Sequence, residues 1–307
     1  MTSHAWTLQD LPDQSGRVVI VTGANAGTGF EAAKALAGRG ATVILACRNS
    51  QKAMEAVRRI LTAHPGAQVE VQALDLGSLK SVREAAAAIR ERHDRLDLLI
   101  NNAGVMIPPY GKTEDGFETQ IGTNHFGPFA LTGLLLDHLL VTPGSRIVTM
   151  SSSLHRSGRI DFEDLHSERG YRAWGAYSQS KLANLLFTYE LQRRLSAAGS
   201  GTLAVAAHPG WARTELQRHA KQSWWMGALM TGFGSFMAQD ALGGALPLLR
   251  AATDPAAIGG DYFGPSGFQE MKGAPVRVES SSRSHDADLQ QRLWRCSELS
   301  TGVSYAI

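Results

Sequence analysis

A chain of 307 residues, 43% hydrophobic and 19% charged with a formal net charge of +2, can bury a substantial core and carries neither a basic block for nucleic acid nor an acidic tail. Its two cysteines, Cys47 and Cys296, exclude a disulfide framework and offer no zinc-ligand spacing. Residues 1–13 lack the basic start and apolar run of a signal peptide, and no stretch reaches the ~18 to 20 apolar residues of a membrane span, so a cytoplasmic protein with no integral membrane span and a small-molecule partner is expected.

In chain order, short apolar runs at 17–21, 41–46, 69–74, 96–100, 146–150 and 202–207 read as buried strands of a parallel sheet covered on both faces. Between them, 50–63 and 78–92 have the composition and spaced apolar positions of helices. The alternation predicts an α/β fold, a Rossmann-type doubly wound parallel sheet with helices on both faces. No repeat or linker divides the chain, so 1–307 is expected to form one domain. Two irregular segments, 153–174 after the fifth strand and 214–237 after the sixth, leave the carboxyl ends of strands, where open α/β sheets bind ligands.

The first strand enters a turn holding Gly23, Asn25, Ala26, Gly27, Thr28 and Gly29 and then a helical stretch at 30–37. By itself such a turn is as readily structural as functional. In a strand–turn–helix context, glycines let the backbone approach a pyrophosphate and the helix amides face its charge, so a dinucleotide site is expected. An acid ~20 positions further on would favour NAD by binding the adenosine ribose. Residues 46–50 offer none. Arg48 can instead stack on adenine and pair with a 2′-phosphate, so NADP(H) is favoured over NAD(H), which stays possible. The alternative for Arg48 is a solvated helix-entry residue, with Ser50 capping that helix.

Further along come Asn101, Asn102, Ala103 and Gly104 after the fourth strand, Asn124 in the next helix, Ser152 after the fifth strand, Tyr177-x-x-x-Lys181, and Pro209-Gly210 after the sixth. Tyr177 and Lys181 stand four apart within a helical pattern at 176–195 and so share a helix face. With glycines separated by three residues and then one, this series resembles the short-chain dehydrogenase/reductase family over nearly the whole fold. The resemblance implies hydride transfer between a nicotinamide and a carbonyl or alcohol. It assigns Tyr177 as proton donor, Lys181 to the nicotinamide ribose and to lowering the Tyr177 pKa, Ser152 to the substrate oxygen, and Asn124 to a helix distortion that holds a relay water. It also assigns Asn49, Pro209 and Gly210 to the cofactor site, Asp75 and Leu76 to the adenine end, Asn101, Asn102, Ala103 and Gly104 to the cofactor groove, and Thr214 to the carboxamide. A helix-cap or turn role is nearly as good a reading of Asp75. No metal is implied, and no G-x-S-x-G elbow surrounds Ser152 to suggest a hydrolase.

The residues 177–184, the His208-Pro209-Gly210 series and the 25-position separation of Ser152 and Tyr177 resemble the retinol-dehydrogenase-like branch. The insertion before the catalytic helix, 153–174, contains an alternating stretch at 158–162 that reads as a short strand beside the active-site mouth or on the surface. Trp224, Trp225, Met226, Leu229, Met230, Phe233, Phe236 and Met237 would suit a hydrophobic lid over 214–237 or a packing surface. Gly260–Gly264 reads as a last strand, and Leu293 and Trp294 as anchors of a terminal helix at 289–296. The expected substrate is a hydrophobic aldehyde, ketone or secondary alcohol. A non-catalytic NADP(H) redox sensor and a light-dependent protochlorophyllide-type reductase are the alternatives, and a homo-oligomer stays open.

Overall fold

The computed structural model describes residues 5–211 and 239–307. Eight strands, β1 Val18–Thr22, β2 Thr42–Cys47, β3 Gln68–Ala73, β4 Leu98–Asn101, β5 Arg146–Met150, β6 Leu203–Ala207, β7 Tyr262–Pro265 and β8 Pro275–Arg277, form one sheet in the order β3-β2-β1-β4-β5-β6-β7-β8. The first seven run parallel, whereas β8 pairs antiparallel with β7. The sheet therefore carries an antiparallel edge strand beside the parallel core that the apolar runs predict.

Strand periodicity divides the core. Val19, Val21, Val43, Leu45, Leu98, Ile100, Val148, Val205 and Ala207 face one layer, built with α1 Gly27–Gly38, α2 Ser50–Ala63 and a helix Ala241–Thr253. Ile20, Ile44, Leu99, Ile147 and Ala204 face the other, with α3 Leu79–Arg92, Gly127–Leu140 and the long helix Ala173–Ala197. Successive side chains of a strand point to opposite faces, so both sides of each inner strand must be apolar. The terminal helix Ala287–Thr301 is longer than predicted, because Asp286 accepts a capping bond from the Leu289 N–H and Gly302 closes it at φ 62°. Leu293 and Trp294 are its buried anchors, and Trp294 meets Phe129, Phe187 and Tyr305 in an aromatic cluster.

Two local expectations are corrected. No strand forms at 158–162. Ile160 and Phe162 pack instead onto Ile121, Leu165 and Leu182, and the Asp161 N–H donates to Gln179 Oε1. The cap of α2 is Asn49, whose Oδ1 accepts from the Lys52 N–H at 2.9 Å, and Ser50 is already helical. Thr214 and the segment 214–237 lie outside the described residues.

Candidate active site

At the carboxyl ends of β1, β2, β4, β5 and β6 opens a cleft of about 400 Å³, within the range for small-molecule sites. One wall holds Gly23, Asn25, Ala26, Gly27, Thr28 and Arg48, and the floor holds Asn102, Ala103 and Gly104. Gly23, at φ 66°, turns the chain out of β1 in a conformation that L side chains rarely adopt. No side chain caps α1, so its first amides open onto the cleft, and this donor set fits a pyrophosphate. Asn102 stitches the turn to the sheet: its Nδ2 donates to the Thr22 carbonyl (2.9 Å) and its Oδ1 accepts from the Thr28 hydroxyl (3.0 Å). The Thr22 hydroxyl accepts in turn from the N–H groups of Asn102 and Ala103, both at 3.0 Å.

Gly29 does not line the cleft but lets α1 approach this stitch. A Cβ there would stand 2.7 Å from the Gly23 carbonyl oxygen and collide with the Asn102 amide. Gly29→Ala is therefore expected to cost ~1–3 kcal/mol, as overpacking does, and to weaken dinucleotide binding. Urea unfolding and cofactor-fluorescence titration check this, and an unchanged binding constant would remove Asn102 from the cofactor wall.

The other end of the cleft holds Ser151, Ser152, Tyr177 and Lys181. Tyr177 and Lys181 lie one turn apart on Ala173–Ala197 and are both buried. Lys181 Nζ sits 5.6 Å from the Tyr177 ring centroid and donates to the Met150 carbonyl at 3.2 Å. Burial pushes the Tyr177 hydroxyl up to about 12, with the Ser152 hydroxyl pulling the other way, and pushes the Lys181 ammonium down to about 8. Desolvation disfavours charge on either group, so the cofactor-free pocket favours the neutral phenol. The structure also distinguishes the three serines: the Ser151 hydroxyl is turned away to the Lys181 carbonyl (2.8 Å), Ser152 stands beside Tyr177, and Ser153 begins a 3₁₀ turn.

Asn124 lies in a π-helical turn, Gly122–Phe126, a distortion of the kind that the family resemblance implies. Its side chain is buried and does not line the cleft. Oδ1 accepts from the Val105 N–H (2.7 Å), while Nδ2 donates to the Val105 carbonyl (2.9 Å) and to Ser180 Oγ (2.9 Å). Both amide hydrogens are thus spent on fastening Val105, a cleft residue, and on Ser180, which bonds the Tyr177 carbonyl (2.8 Å). Four further positions do not line the cleft. Asn101 donates to Thr132 on the far side of the sheet. Asp75 makes a turn by accepting from the Gly77 N–H (2.9 Å), and Leu76 is buried in the core. Asn49 caps its helix. Pro209 and Gly210 do line the cleft.

Val105, Met106, Leu154, Trp174 and Trp211 join Met150 and Ser153 in the lining, and these five escape sequence reading. Trp174 stands three residues before Tyr177 on the same helix face, a spacing that would point to it. Met106 and Leu154 pack with Ile107 and Tyr177 in a small apolar cluster, so the reactive end is walled by apolar and aromatic groups.

The model for short chain dehydrogenases matches residues 17–224. Human retinol dehydrogenase 13 is 43% identical over 304 residues, covering 94% of this chain and 85% of that protein. A solved structure of an uncharacterized protein from Mycobacterium paratuberculosis is 44% identical, covers 99% of this chain and 100% of that one, and superposes with a TM-score of 0.82. A structure described as a short chain dehydrogenase from Shigella flexneri, complexed with NADP, is 25% identical over 83% of this chain and 98% of that one, with a TM-score of 0.62. The chain is thus a short-chain dehydrogenase/reductase enzyme, an oxidoreductase acting on small molecules, and belongs to the retinol-dehydrogenase-like branch of that family.

Proposed function

We propose that this oxidoreductase uses NADP(H) to interconvert hydrophobic aldehydes or ketones with their alcohols. The observation that carries the reading is one continuous cleft. It has an uncapped helix N-terminus and Arg48 at one end, and Tyr177, Lys181 and Ser152 among Met106, Leu154, Trp174 and Trp211 at the other. The bound nicotinamide supplies or accepts the hydride. Ser152 donates to the substrate oxygen and holds it beside Tyr177, and Tyr177 passes its phenolic proton to that oxygen in reduction or takes it back in oxidation. Lys181 spends one of three donors on Met150, leaving the others for the ribose hydroxyls and the Tyr177 oxygen. Its ammonium stabilises the phenolate that burial alone opposes. The apolar walls favour a substrate with a hydrocarbon or aromatic body.

Arg48 is exposed at the cleft mouth, where a guanidinium can pair with a 2′-phosphate. Arg48→Asp is expected to lower the NADPH-over-NADH preference in kcat/KM by ~10–100-fold, since one lost charge-assisted contact plus repulsion is worth about 1.5–3 kcal/mol. The test is steady-state oxidation of NADPH and NADH with aliphatic, aromatic and isoprenoid aldehydes. A wild-type preference for NADH, or no effect of Arg48→Asp, would sink the cofactor assignment. Tight NADPH binding without turnover of any carbonyl would favour the redox-sensor reading, and nothing in the cleft favours a pigment site.

A further inference from the structure

Ser152 is the first residue of a turn with unusually complete fastening. Its backbone is extended (φ −158°, ψ 154°), and its Oγ accepts from the Leu154 N–H at 3.2 Å. Its carbonyl accepts twice from one residue, His155: from the backbone N–H at 3.0 Å and from ring Nδ1 at 2.6 Å. The second ring nitrogen, Nε2, lies 3.0 Å from the Ser281 N–H. A backbone amide only donates, so Nε2 carries the lone pair and the ring proton stands on Nδ1, pointing at the Ser152 carbonyl. The imidazole is fully buried and packs edge-on against Tyr262, with ring centroids 5.7 Å apart. The next residue, Arg156, bonds the Glu279 carbonyl (2.6 Å) and Glu270 (3.1 Å). Two backbone segments more than a hundred residues apart are therefore joined through one neutral ring.

We propose that His155 is a positioning residue for the reaction: its neutral imidazole locks the turn bearing Ser152 to the segment around Ser281 and so aims the Ser152 hydroxyl at Tyr177. The proposal rests on the assignment of Ser152 and Tyr177 above. With one Oγ lone pair taken by Leu154, the hydroxyl proton is free to turn toward the Tyr177 oxygen before substrate binds, where it holds the Tyr177 pKa down, and toward the substrate oxygen beside it afterwards. Without the lock, the turn shifts, the Ser152 hydroxyl moves off Tyr177 and the phenolate loses support. The charged and titratable groups facing the ring are Arg156 on its own turn, His208 at the end of β6, Glu270 from the loop before β8 and Tyr262 on β7. His208 Nε2 stands 2.9 Å from Glu270 Oε2, and both ring nitrogens of His155 are taken by its backbone partners.

The test compares His155→Leu, His155→Gln and Ser281→Pro, each alone and with Ser152→Ala. Gln keeps a donor and an acceptor. Pro suits Ser281, whose φ is −67°, and removes the N–H together with a buried hydroxyl that makes no hydrogen bond. The readouts are kcat and KM for NADPH with decanal and benzaldehyde, NADPH affinity, thermal midpoint, and Tyr177 ionisation in the NADP⁺ complex. Ionisation is read as phenolate absorbance by difference from Tyr177→Phe. His155→Leu is expected to lower kcat by ~10–100-fold, the size of effect that misplacing a reacting group produces, with NADPH affinity held within about a factor of three. It should raise the Tyr177 ionisation pH toward that of Ser152→Ala. His155→Gln recovers most of the loss, Ser281→Pro moves ionisation the same way by less, and His155→Leu adds nothing once Ser152 is Ala. An unmoved Tyr177 ionisation, or an equal loss with and without Ser152, would overturn the proposal. The ionisation arm needs no substrate, so failure of the carbonyl panel overturns the proposed function alone.

Discussion

Tyr177→Phe is expected to lower kcat/KM for carbonyl reduction by ~10³-fold or more while leaving NADPH affinity within about a factor of three. General acid catalysis contributes ~10²–10⁴, and a loss of ~10³ corresponds to about 4 kcal/mol on the barrier. The ring itself stays useful: it is buried against Ile107, with Met106, Leu154 and Ala173 around it. Removal of the hydroxyl alone thus leaves that packing in place, and the thermal midpoint should move little. The pH dependence has a definite sign. Burial raises the Tyr177 pKa to about 12 in the absence of cofactor, and the Lys181 ammonium, itself lowered to about 8, persists below that pH. The phenol is protonated at neutrality, so reduction should be level near pH 7 and fall as pH rises through the Tyr177 pKa of the complex. Alcohol oxidation, which needs phenolate, should rise over the same interval. Steady-state rates in both directions from pH 6 to 10 check this, and turnover by Tyr177→Phe within about tenfold of wild type would remove Tyr177 as the proton donor.

Acidification from pH 7 to about pH 4 should destabilise the fold by several kcal/mol through two buried histidines. His125 lies in the π turn among Phe126, Phe129 and Phe187, with Nε2 2.8 Å from Ser297 Oγ. Burial lowers its pKa to about 3, and burial likewise lowers that of His155 to about 4. In the unfolded chain both titrate near 6.5. Between these limits the unfolded state binds more protons than the folded one, so stability is fully present above about pH 6.5 and drains away as pH falls toward the folded values. Each unit of difference is worth about 1.4 kcal/mol, so each histidine contributes on the order of 3 to 5 kcal/mol. That is a large share of the ~5–15 kcal/mol typical of a folded domain. Glu118 works the opposite way: it is buried with its pKa raised, so acid relieves the cost of its charge and offsets part of the loss. Urea unfolding at pH 7, 5.5 and 4.5 measures the slope. A His125→Gln, His155→Gln double variant should flatten it, and an unaltered slope would show that other groups govern acid unfolding.

Chemistry confined to one stretch of chain was legible from that stretch. The glycine turn between a strand and a helix pointed to a cradle at the N-terminus of α1, and the four-residue spacing of Tyr177 and Lys181 placed them on one helix face. Both reach the cleft together with Ser152 and Arg48. Misreadings arose where a local pattern needed a partner to decide it. Alternation at 158–162 suggested a strand, yet its apolar side chains found a place against Ile121, Leu165 and Leu182, and a strand without a pairing edge leaves its amides unanswered. Asp75 was open between the adenine end and a turn; its carboxylate accepts from the Gly77 N–H two residues on, which supplies the turn, a short-range bond that no family motif distinguishes from ligand contact.

By itself, the sequence determined the alternation of strand and helix, the two-sided core and the short-range constellations, because these follow from periods of 2 and 3.6 residues and from contacts a few positions apart. Only the tertiary structure decided which apolar side chains wall the reactive end. Met106, Leu154, Trp174 and Trp211 come from four separate segments whose meeting depends on sheet order and strand-end geometry. It also decided that Asn124 holds Val105 and that His155 joins Ser152 to Ser281. Such bonds arise because folding removes those polar groups from water and obliges each to find a partner. Which partner each one finds is set by where the assembled layers bring distant backbone within about 3 Å, the reach of a hydrogen bond.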